Sequence, residues 1–362
     1  MPLDRNQILL GDCLDLLPTL PAGFVQCCVT SPPYWGLRDY GTRRWYDGDP
    51  GCNHDRGVQH KPLHPGQVEQ TKAPKRTDYS GASAGGTALT HSCSKCGAWW
   101  GQVGLEPNPD DYVRHLVEIF SQVRRILRDD GTLFLNLGDT YKGTGANAPK
   151  LKTKDLTGIP WMVALALRQD GWYLRSEIIW HKTVALPESA KDRPTRNHEH
   201  VFLLSKSEHY YYNSEAVQER AVDGYRNRRT VWSLTTSGAS DGHFATFPEE
   251  LPLLCTRAGT SRRGACAACG KPRDAQTGAR GCRCKVDEHA RSIVFDPFTG
   301  SGTTLLAGVG VDCDYLGCEI NETYAEIARG RLQAAMSLRG QRETSAMREV
   351  LEQGSADDRK RR

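Results

Sequence analysis

The sequence predicts an α/β fold with a mostly parallel sheet and helices on both faces. Short apolar segments alternate with segments whose apolar residues recur every three or four positions, which is typical of strands joined by helices. A chain of 362 residues with 38% hydrophobic residues is long enough to bury one large core. Two cysteine-bearing segments interrupt the alternation, and we expect them to be insertions.

The first elements alternate between strand and helix. QILLGD (7–12) is a predicted strand that ends in an acid, CLDLLPTLPAG (13–23) is a brief helical connection, and FVQCCVTSPPY (24–34) is a second strand. Consecutive prolines cannot continue a sheet ladder, because proline lacks the backbone donor and fixes φ. The chain therefore leaves the second strand in a stiff, defined direction. This suits a binding site, although an ordinary proline-rich turn has the same appearance.

The clearest helix pattern spans residues 108–131. It has an asparagine at the cap position, a proline at the first helical position and two acids in the first turn. The segments that follow are predicted as a strand (132–139), a helix (158–171) and two more strands (173–180 and 199–207), with a frayed charged tail from about Gly340.

Cysteine spacing predicts metal sites. No long apolar run or signal-peptide pattern is present, so we expect a cytoplasmic location, where disulfides are rare. In the segment 259–291, Cys266 and Cys269 form a Cys-x-x-Cys pair, and Cys282 and Cys284 form a second close pair. Four thiolates on two short turns predict a structural zinc site.

A first cysteine group lies in the polar insertion 36–105. The sequences CNH (52–54) and CSKC (93–96) predict a second structural zinc site. Its predicted ligands are Cys52, His54, Cys93 and Cys96, with His60, His64 or His91 as alternative ligands. The six remaining cysteines lie in or beside apolar strands and are predicted to be ordinary buried side chains.

The segment 292–332 has the pattern of a nucleotide-type binding turn. An apolar strand runs into Asp296, a turn contains Gly300 and Gly302, a helix follows, and the next strand ends at Glu319. Glycines let the backbone approach a ligand, helix amides face it, and a carboxylate one strand away can bind ribose hydroxyls. The G-x-G-x-x-G pattern and the P-loop lysine are absent, so the spacing does not identify the ligand. A purely structural turn is the alternative.

Two motifs carry a resemblance to a known family. VTSPPYW (29–35) and FDPFTGSGTT (295–304) resemble the catalytic and cofactor motifs of the S-adenosylmethionine-dependent DNA amino-methyltransferases of bacteria and phages. Their order, with the catalytic motif first, resembles the permuted beta group. The resemblance covers most of residues 6–338 and implies a Rossmann-like methyltransferase fold with a circularly permuted motif order.

The resemblance also implies roles for individual residues. Ser31 and the Pro32 carbonyl would accept the amino hydrogens of a flipped-out base, Pro33 would stiffen the turn, and Tyr34 would stack on the base. Asp12 would contact the adenine of S-adenosylmethionine, and the segment 243–251 would adjoin its methionine end. The residues implied to bind this cofactor are Asp12, Thr246, Phe247, Asp296, Pro297, Phe298, Thr299, Gly300, Ser301, Gly302, Thr303, Thr304 and Glu319.

The residue type at position 31 bears on the target base. Serine there resembles the signature of enzymes that methylate cytosine N4, whereas adenine enzymes more often carry aspartate. We therefore expect site-specific methylation of cytosine N4 in duplex DNA, with adenine N6 as the alternative. A C5-cytosine enzyme is disfavoured, because no Pro-Cys pair occurs. A catalytically inactive, zinc-stapled DNA-binding module is the alternative from another class.

The net charge is only +4, but basic residues cluster within 182–240, where we expect DNA recognition. Arg226, Arg228 and Arg229 are candidate contacts, with solvated loop arginines as the alternative. The first insertion is expected to contribute through Arg43, Arg44, Trp45 and Tyr46. The resemblance makes a homodimer and a cognate restriction endonuclease candidate partners. The predicted core halves are 1–35 with 106–181 (catalytic) and 241–258 with 292–338 (cofactor-binding), followed by a flexible tail at 339–362.

Overall fold

The computed structural model describes residues 4–60, 87–143, 151–184, 187–235, 247–273, 282, 284–286 and 288–340. Eight strands form one main sheet: β1 (Gln7–Leu10), β2 (Val25–Thr30), β7 (Leu127–Leu137), β8 (Tyr173–Lys182), β9 (His198–Ser205), β12 (Val231–Leu234), β15 (Ile293–Asp296) and β16 (Asp314–Glu319). Eight short strands lie outside it: β3 (Arg44–Tyr46), β4 (Arg56–His60), β5 (Thr87–Cys93), β6 (Trp99–Gly101), β10 (Glu219–Ala221), β11 (Gly224–Arg226), β13 (Ala265–Cys266) and β14 (His289–Ala290).

The main sheet is mostly parallel, as the alternation predicted. Its strand order is β1-β16-β15-β2-β7-β9-β8-β12. Strand β9 is antiparallel to both of its neighbours, and every other neighbouring pair is parallel. Strands β15 and β16, which come late in the chain, therefore lie between the N-terminal strands β1 and β2.

Helices cover both faces of this sheet. They are α1 (Cys13–Leu16), α2 (Pro109–Ile126), α3 (Ile159–Gln169), α4 (Glu250–Gly259), α5 (Thr303–Gly310) and α6 (residues 322–340), with two 3₁₀ turns at Leu17–Thr19 and Glu215–Val217. Successive residues of β2 point to opposite faces: Cys28 packs in the core beneath α2, whereas Cys27 packs in the core beneath α4. No helix among the described residues has the length and apolar composition needed to cross a bilayer.

Helix α2 begins where the sequence predicted and ends five residues earlier than the predicted 131. The Asn108 side chain accepts a hydrogen bond from the Asp111 amide at 2.9 Å and caps the helix. At the other end, the Phe24 amide donates to the Ile126 carbonyl, and Leu127 pairs with Val25 of β2. Because this pairing requires extended backbone, residues 127–131 belong to β7 instead of the helix.

The first insertion forms a small antiparallel sheet with the order β3-β6-β5-β4. It docks on α2 through aromatic contacts: the ring centroid of His115 lies 4.9 Å from that of Tyr46 and 5.9 Å from that of Trp99. An ion pair between Arg114 and Asp47, at 2.8 Å, adds to this contact. The insertion is therefore attached to the helix that packs against β2 and β7 of the main sheet.

Candidate active site

The two motifs singled out in the sequence meet at the carboxyl end of the main sheet. Strand β2 ends at Thr30 and the neighbouring parallel strand β15 ends at Asp296. The Thr30 hydroxyl donates to Asp296 Oδ1 at 2.6 Å and joins the two strand ends directly. Ligands of open α/β sheets bind in the crevice beyond these strand ends. Residues 31–34 and 296–304 therefore border the same crevice.

The glycine-rich turn after β15 is held against the end of β16. The Gly300 amide donates to Glu319 Oε2 at 2.7 Å, and the Asn321 amide donates to Oε1 at 2.8 Å. Gly302 has φ +84°, and a Cβ atom there would lie 2.9 Å from the Ala328 Cβ atom. The turn thus needs glycine for its backbone conformation and for close packing on α6.

Both acids of the predicted cofactor segment are buried at the strand ends. Burial raises the pKa of Asp296 to about 6, although the Thr30 hydroxyl and the Phe298 amide oppose the shift. Burial also raises the pKa of Glu319, although the backbone amides that donate hydrogen bonds to it oppose the shift. A buried carboxylate is costly unless donors surround it, so both groups would gain from the hydroxyl or ammonium donors of a ligand.

A cleft of about 630 Å³, a volume typical of small-molecule sites, lies at the end of β16, where the residues that directly follow Glu319 line it; Asp296 and Glu319 themselves do not. Asp12, predicted to contact the cofactor, lines it together with residues 40–44 and 320–323. Asp12 Oδ1 accepts from the Leu14 amide at 2.9 Å, and Oδ2 pairs with Arg44 Nη1 at 3.1 Å. Both oxygens of Asp12 are thus fixed at the mouth of the cleft.

The other predicted cofactor residues occupy the turn and the start of α5. Thr299 donates to the Asp296 carbonyl at 3.1 Å, and Thr304 donates to the Val29 carbonyl at 3.1 Å. Arg331 on α6 donates to the Ser301 carbonyl at 2.7 Å and lies 3.4 Å from the Thr303 hydroxyl. Pro297 and Phe298 form the turn itself, and Phe247 packs on the core beneath α4, whereas Thr246 lies outside the described residues.

The predicted catalytic tetrapeptide is held rigidly. The Ser31 hydroxyl donates to Tyr34 Oη at 3.0 Å, and Tyr34 Oη donates to Glu199 Oε2 at 2.6 Å. Tyr112 on α2 donates to the Pro33 carbonyl at 2.8 Å. Gly138 makes room for the Tyr34 ring, because a Cβ atom at that position would lie 2.6 Å from ring carbon Cε2.

Three polar residues around Tyr34 were not predicted from the sequence. Asn136 Nδ2 donates to Tyr34 Oη at 2.8 Å and to Glu199 Oε2 at 2.9 Å, and Lys182 Nζ donates to Glu199 Oε1 at 2.5 Å. Asn136 Oδ1 is buried with no hydrogen-bond partner among the described residues. Burial, together with the Glu199 charge, raises the pKa of Tyr34, so the phenol keeps its proton. The common signal of the three is position: each lies near the end of a strand at this end of the sheet.

Each predicted set of metal ligands is brought together. The ligand atoms of Cys52, His54, Cys93 and Cys96 all lie within 4.8 Å of one another. Of the three alternative ligands, His91 has its Nδ1 atom 3.3 Å from the Trp100 carbonyl oxygen. The side chains of His60 and His64 are outside the described part of the chain. Burial raises the pKa of the Cys93 thiol, but backbone amides outweigh it and lower that pKa to about 5.

The second set of ligands, Cys266, Cys269, Cys282 and Cys284, also lies within 4.8 Å. It is close to the opposite end of the main sheet, since Arg128 at the start of β7 donates to the Cys269 carbonyl at 3.1 Å. The other six cysteines are buried, as predicted.

One expectation about the first insertion is corrected. The sequence placed Arg43, Arg44, Trp45 and Tyr46 among the DNA contacts. Tyr46 is buried against α2, and Arg44 turns toward Asp12 and Asp15, whereas contacts by Arg43 and Trp45 stay a prediction. The side chains of Tyr46 and Arg44 face the protein because the β3–β6 ladder turns them toward α1 and α2.

Comparisons with known proteins agree on one family. The sequence model of the N6/N4 methyltransferases, described as DNA methylase, matches residues 25–330. The type II methyltransferase M.Cfr9I of Citrobacter freundii is 39% identical over 92% of this chain and 90% of its own length. The type II methyltransferase M.SmaI of Serratia marcescens is 36% identical over 90% of each.

Solved structures share the fold. The cytosine-N4-specific PvuII DNA methyltransferase aligns with a TM-score of 0.55 at 15% identity, over 92% of this chain and 91% of its own. TTHA0409 of Thermus thermophilus, solved with S-adenosyl-L-methionine, aligns with a TM-score of 0.53 at 18% identity, over 91% of this chain and 94% of its own. The family match, the relatives and the joined motifs lead to one conclusion: the chain belongs to the DNA methylase family and is an S-adenosylmethionine-dependent DNA amino-methyltransferase.

Proposed function

We propose that this enzyme transfers the methyl group of S-adenosylmethionine to the exocyclic N4 of a cytosine flipped out of duplex DNA. The observation that carries the proposal is the 2.6 Å hydrogen bond from Thr30 to Asp296, which places residues 31–34 beside the glycine-rich turn. The choice of cytosine follows from serine at position 31. We also propose a circularly permuted motif order, because β15 and β16 come late in the chain and lie between β1 and β2.

The chemistry requires positioning more than covalent activation. The lone pair of an exocyclic amino group is delocalised into the ring, so the nitrogen attacks well only when its hydrogens are held out of the ring plane. Ser31 Oγ and the Pro32 carbonyl would accept those hydrogens, and the Tyr34 ring would stack on the base. S-adenosylmethionine supplies the electrophilic methyl group. Asp12, Asp296 and Glu319 are the residues that would hold it.

The hydrogen bonds at this site also offer a path for a proton. The amino nitrogen must lose one proton when its bond to carbon forms, while the sulfonium becomes a neutral thioether. Ser31 donates to Tyr34, and Tyr34 donates to Glu199, so each hydroxyl can pass a proton toward the carboxylate. Lys182 and Asn136 hold that carboxylate in place. We assign Glu199 as the acceptor at the end of this chain.

Recognition of DNA is proposed for the loops around β9 and β12. Strands β9 and β12 themselves belong to the main sheet. Within the predicted region 182–240, we therefore assign DNA recognition to the connecting residues 187–197 and 206–230. The hairpin of β10 and β11 carries exposed Tyr225, and Arg226 and Arg229 both pair with Glu219 Oε1, at 2.8 and 2.6 Å. A homodimer and a cognate restriction endonuclease remain proposals from the resemblance.

Both cysteine clusters are proposed to hold Zn²⁺ in structural sites. Zinc bound tetrahedrally at about 2.3 Å from each sulfur requires sulfurs about 3.8 Å apart. The Cys52 and Cys93 sulfurs lie 3.9 Å apart, and the Cys269 and Cys282 sulfurs lie 3.5 Å apart. Four protein ligands fill each coordination sphere, which is typical of structural zinc.

The proposal is tested by the methylated product. Purified protein is incubated with labelled S-adenosylmethionine and a panel of unmethylated duplexes, and the digested nucleosides are identified by mass spectrometry. N4-methylcytosine is the expected product, and N6-methyladenine would overturn the cytosine assignment while leaving the family intact. The Asp296→Ala variant is the control and should bind no cofactor. Binding of DNA and cofactor without transfer to any duplex would favour an inactive DNA-binding module.

A further inference from the structure

One wall of the cleft that Asp12 lines, and that is proposed to receive the adenine end of the cofactor, belongs to the first insertion. Residues 40–44 line the cleft. Their backbone depends on Gln102, which is only 2% exposed: its Oε1 accepts from the Tyr40 amide at 3.1 Å and the Thr42 amide at 3.3 Å, and its Nε2 donates to the Arg38 carbonyl at 3.2 Å. The position of residues 40–42 in this wall therefore depends on the position of Gln102.

Gln102 directly follows β6, and β6 begins three residues after the metal ligand Cys96. The turn between the ligands is closed by the Cys93 amide, which donates to the Ala98 carbonyl at 2.7 Å. Strand β6 pairs with β3, which carries Arg44. The first metal cluster and the cleft wall thus lie at the two ends of one short ladder, at most about 20 Å apart for six residues of strand.

Side chains also connect the cluster to this ladder. Trp45 of β3 lies with its ring centroid 5.0 Å from that of the ligand His54 and 5.1 Å from that of Trp100. On the cleft side, the neighbouring Arg44 pairs with Asp12 at 3.1 Å and with Asp15 at 2.6 Å. A displacement of β3 would therefore move the arginine that orients Asp12.

The ladder is too small to be rigid by itself. Strands β3 and β6 have three residues each, and β6 pairs with the next strand, β5, only at Ser92 and Trp99. Small antiparallel pairs are marginal in water, and this single position of pairing adds little to their stability. A structural zinc ion contributes its binding free energy to folding, because the unfolded chain has no preformed site. Loss of the ion would leave the ladder held by the docking of Tyr46 and Trp99 on α2 and by the ion pairs of Asp47 and Arg44. These contacts act on β3 and β6 separately and do not join the chain segments that carry the four ligands.

We propose that the metal ion bound by Cys52, His54, Cys93 and Cys96 fixes this wall of the cleft, so that zinc and S-adenosylmethionine each strengthen the binding of the other. The inference rests on the proposed cofactor site and goes beyond a purely local role for the ion. Cys52 and His54 continue the chain from β3, whereas Cys93 and Cys96 precede β6, so the ion ties together both strands of the ladder. Among the described residues, the second cluster shows no such connection, and its contact with the main sheet is made by Arg128 at the other end of the sheet.

The test measures zinc affinity with and without cofactor. The Cys284→Ser variant keeps only the first site intact, and its zinc is placed in equilibrium competition with a chromogenic chelator. Saturating S-adenosylmethionine is expected to raise zinc affinity at this site about tenfold, within the usual range of coupling between sites. In the Cys96→Ser variant, which keeps only the second site intact, the cofactor should leave zinc affinity unchanged.

Cofactor binding supplies the reciprocal measurement. By linkage, loss of zinc from the first site should weaken S-adenosylmethionine binding by the same factor of about ten, measured by calorimetry. Equal zinc affinity with and without cofactor in Cys284→Ser, or failure of that variant to bind zinc at all, would overturn the inference. A wild-type protein that binds two zinc ions and no S-adenosylmethionine would instead overturn the proposed cofactor site.

Discussion

At the residue scale, Tyr34 combines two roles that can be separated experimentally. Its ring occupies space left open by Gly138, and its hydroxyl lies at the centre of a hydrogen-bond network with Ser31, Asn136 and Glu199. The ring is proposed to stack on the base, whereas the hydroxyl is proposed to relay a proton. Removing the hydroxyl alone therefore tests a different function from removing the whole side chain.

Replacing Tyr34 by alanine and by phenylalanine should give different losses. Base–aromatic stacking contributes roughly 1–3 kcal/mol, so Tyr34→Ala is expected to lower the single-turnover transfer rate by about 5- to 150-fold. Tyr34→Phe keeps the ring and should lose less, with a rate that depends more steeply on pH because the relay is broken. Calorimetry should show unchanged cofactor affinity for both variants. Equal loss of rate in the two variants would contradict the stacking role.

Asp296 should make folding stability depend on pH. Its folded pKa of about 6 lies above the ordinary value of 3.8, so its stabilising contribution is complete below about pH 3.8 and is lost as the pH rises through about 6. The shift corresponds to about 3 kcal/mol. Asn in its place has no charge to bury, so the free energy of unfolding of Asp296→Asn should rise relative to wild type by about this amount between pH 4 and pH 7.

Denaturant unfolding of the cofactor-free protein at several pH values measures this difference. Thr30→Val is a useful companion variant, because it removes a hydrogen bond that stabilises the ionised form and should steepen the pH dependence. A pH-independent difference between Asp296→Asn and wild type would show that burial does not raise this pKa.

At the element scale, the sequence predicts a strand or helix correctly where local chemistry determines its bounds. The Asn108 cap, the proline that follows it and the periodic apolar face predicted the start of α2 correctly. Its end was missed because Leu127 pairs with Val25, a tertiary contact with no local signal. For the same reason Glu199 was missed: it lies 165 positions from Tyr34, and only the antiparallel placement of β9 beside β7 brings the two together.

Helix α2 contacts the proposed catalytic turn through the hydrogen bond that Tyr112 donates to the Pro33 carbonyl. Tyr112→Phe leaves that carbonyl without this donor, which should lower the free energy of unfolding by roughly 1–3 kcal/mol. Because the diproline would move more freely, the transfer rate should fall while cofactor affinity is kept. Tyr173→Phe, at an exposed tyrosine, is the matched control and should change neither quantity. An unaltered transfer rate in Tyr112→Phe would show that the turn is stiff without the helix.

At the scale of the whole molecule, the two ends of the sheet have different tasks. The carboxyl end brings together the tetrapeptide, the glycine-rich turn and the cleft, whereas the second cysteine cluster is anchored near the opposite end. The motif order along the chain could be read from the sequence. The adjacency of β2 and β15 could not be derived from spacing, because the two strands are far apart along the chain and only the parallel pairing of the sheet joins them.

The low net charge of the chain leads to a prediction about DNA binding. A chain with a net charge of only +4 must concentrate its phosphate contacts on one face, and the hairpin of β10 and β11 is the proposed location. Binding to a nonspecific duplex should weaken linearly on a plot of log affinity against log salt concentration. Replacing both Arg226 and Arg229 by glutamine should reduce the magnitude of the slope by about 2.

Arg291 provides the matched control for this measurement. It is half exposed, pairs with Asp312 at 3.2 Å beside the amino end of β15 and lies outside the hairpin of β10 and β11. Arg291→Gln also removes positive charge but should leave the salt slope unchanged, because a residue that neutralises no phosphate releases no counterion. Fluorescence anisotropy over a range of about 50–200 mM salt distinguishes the two variants. If Arg291→Gln lowers the slope and the double variant does not, the hairpin of β10 and β11 is not the surface that contacts phosphates.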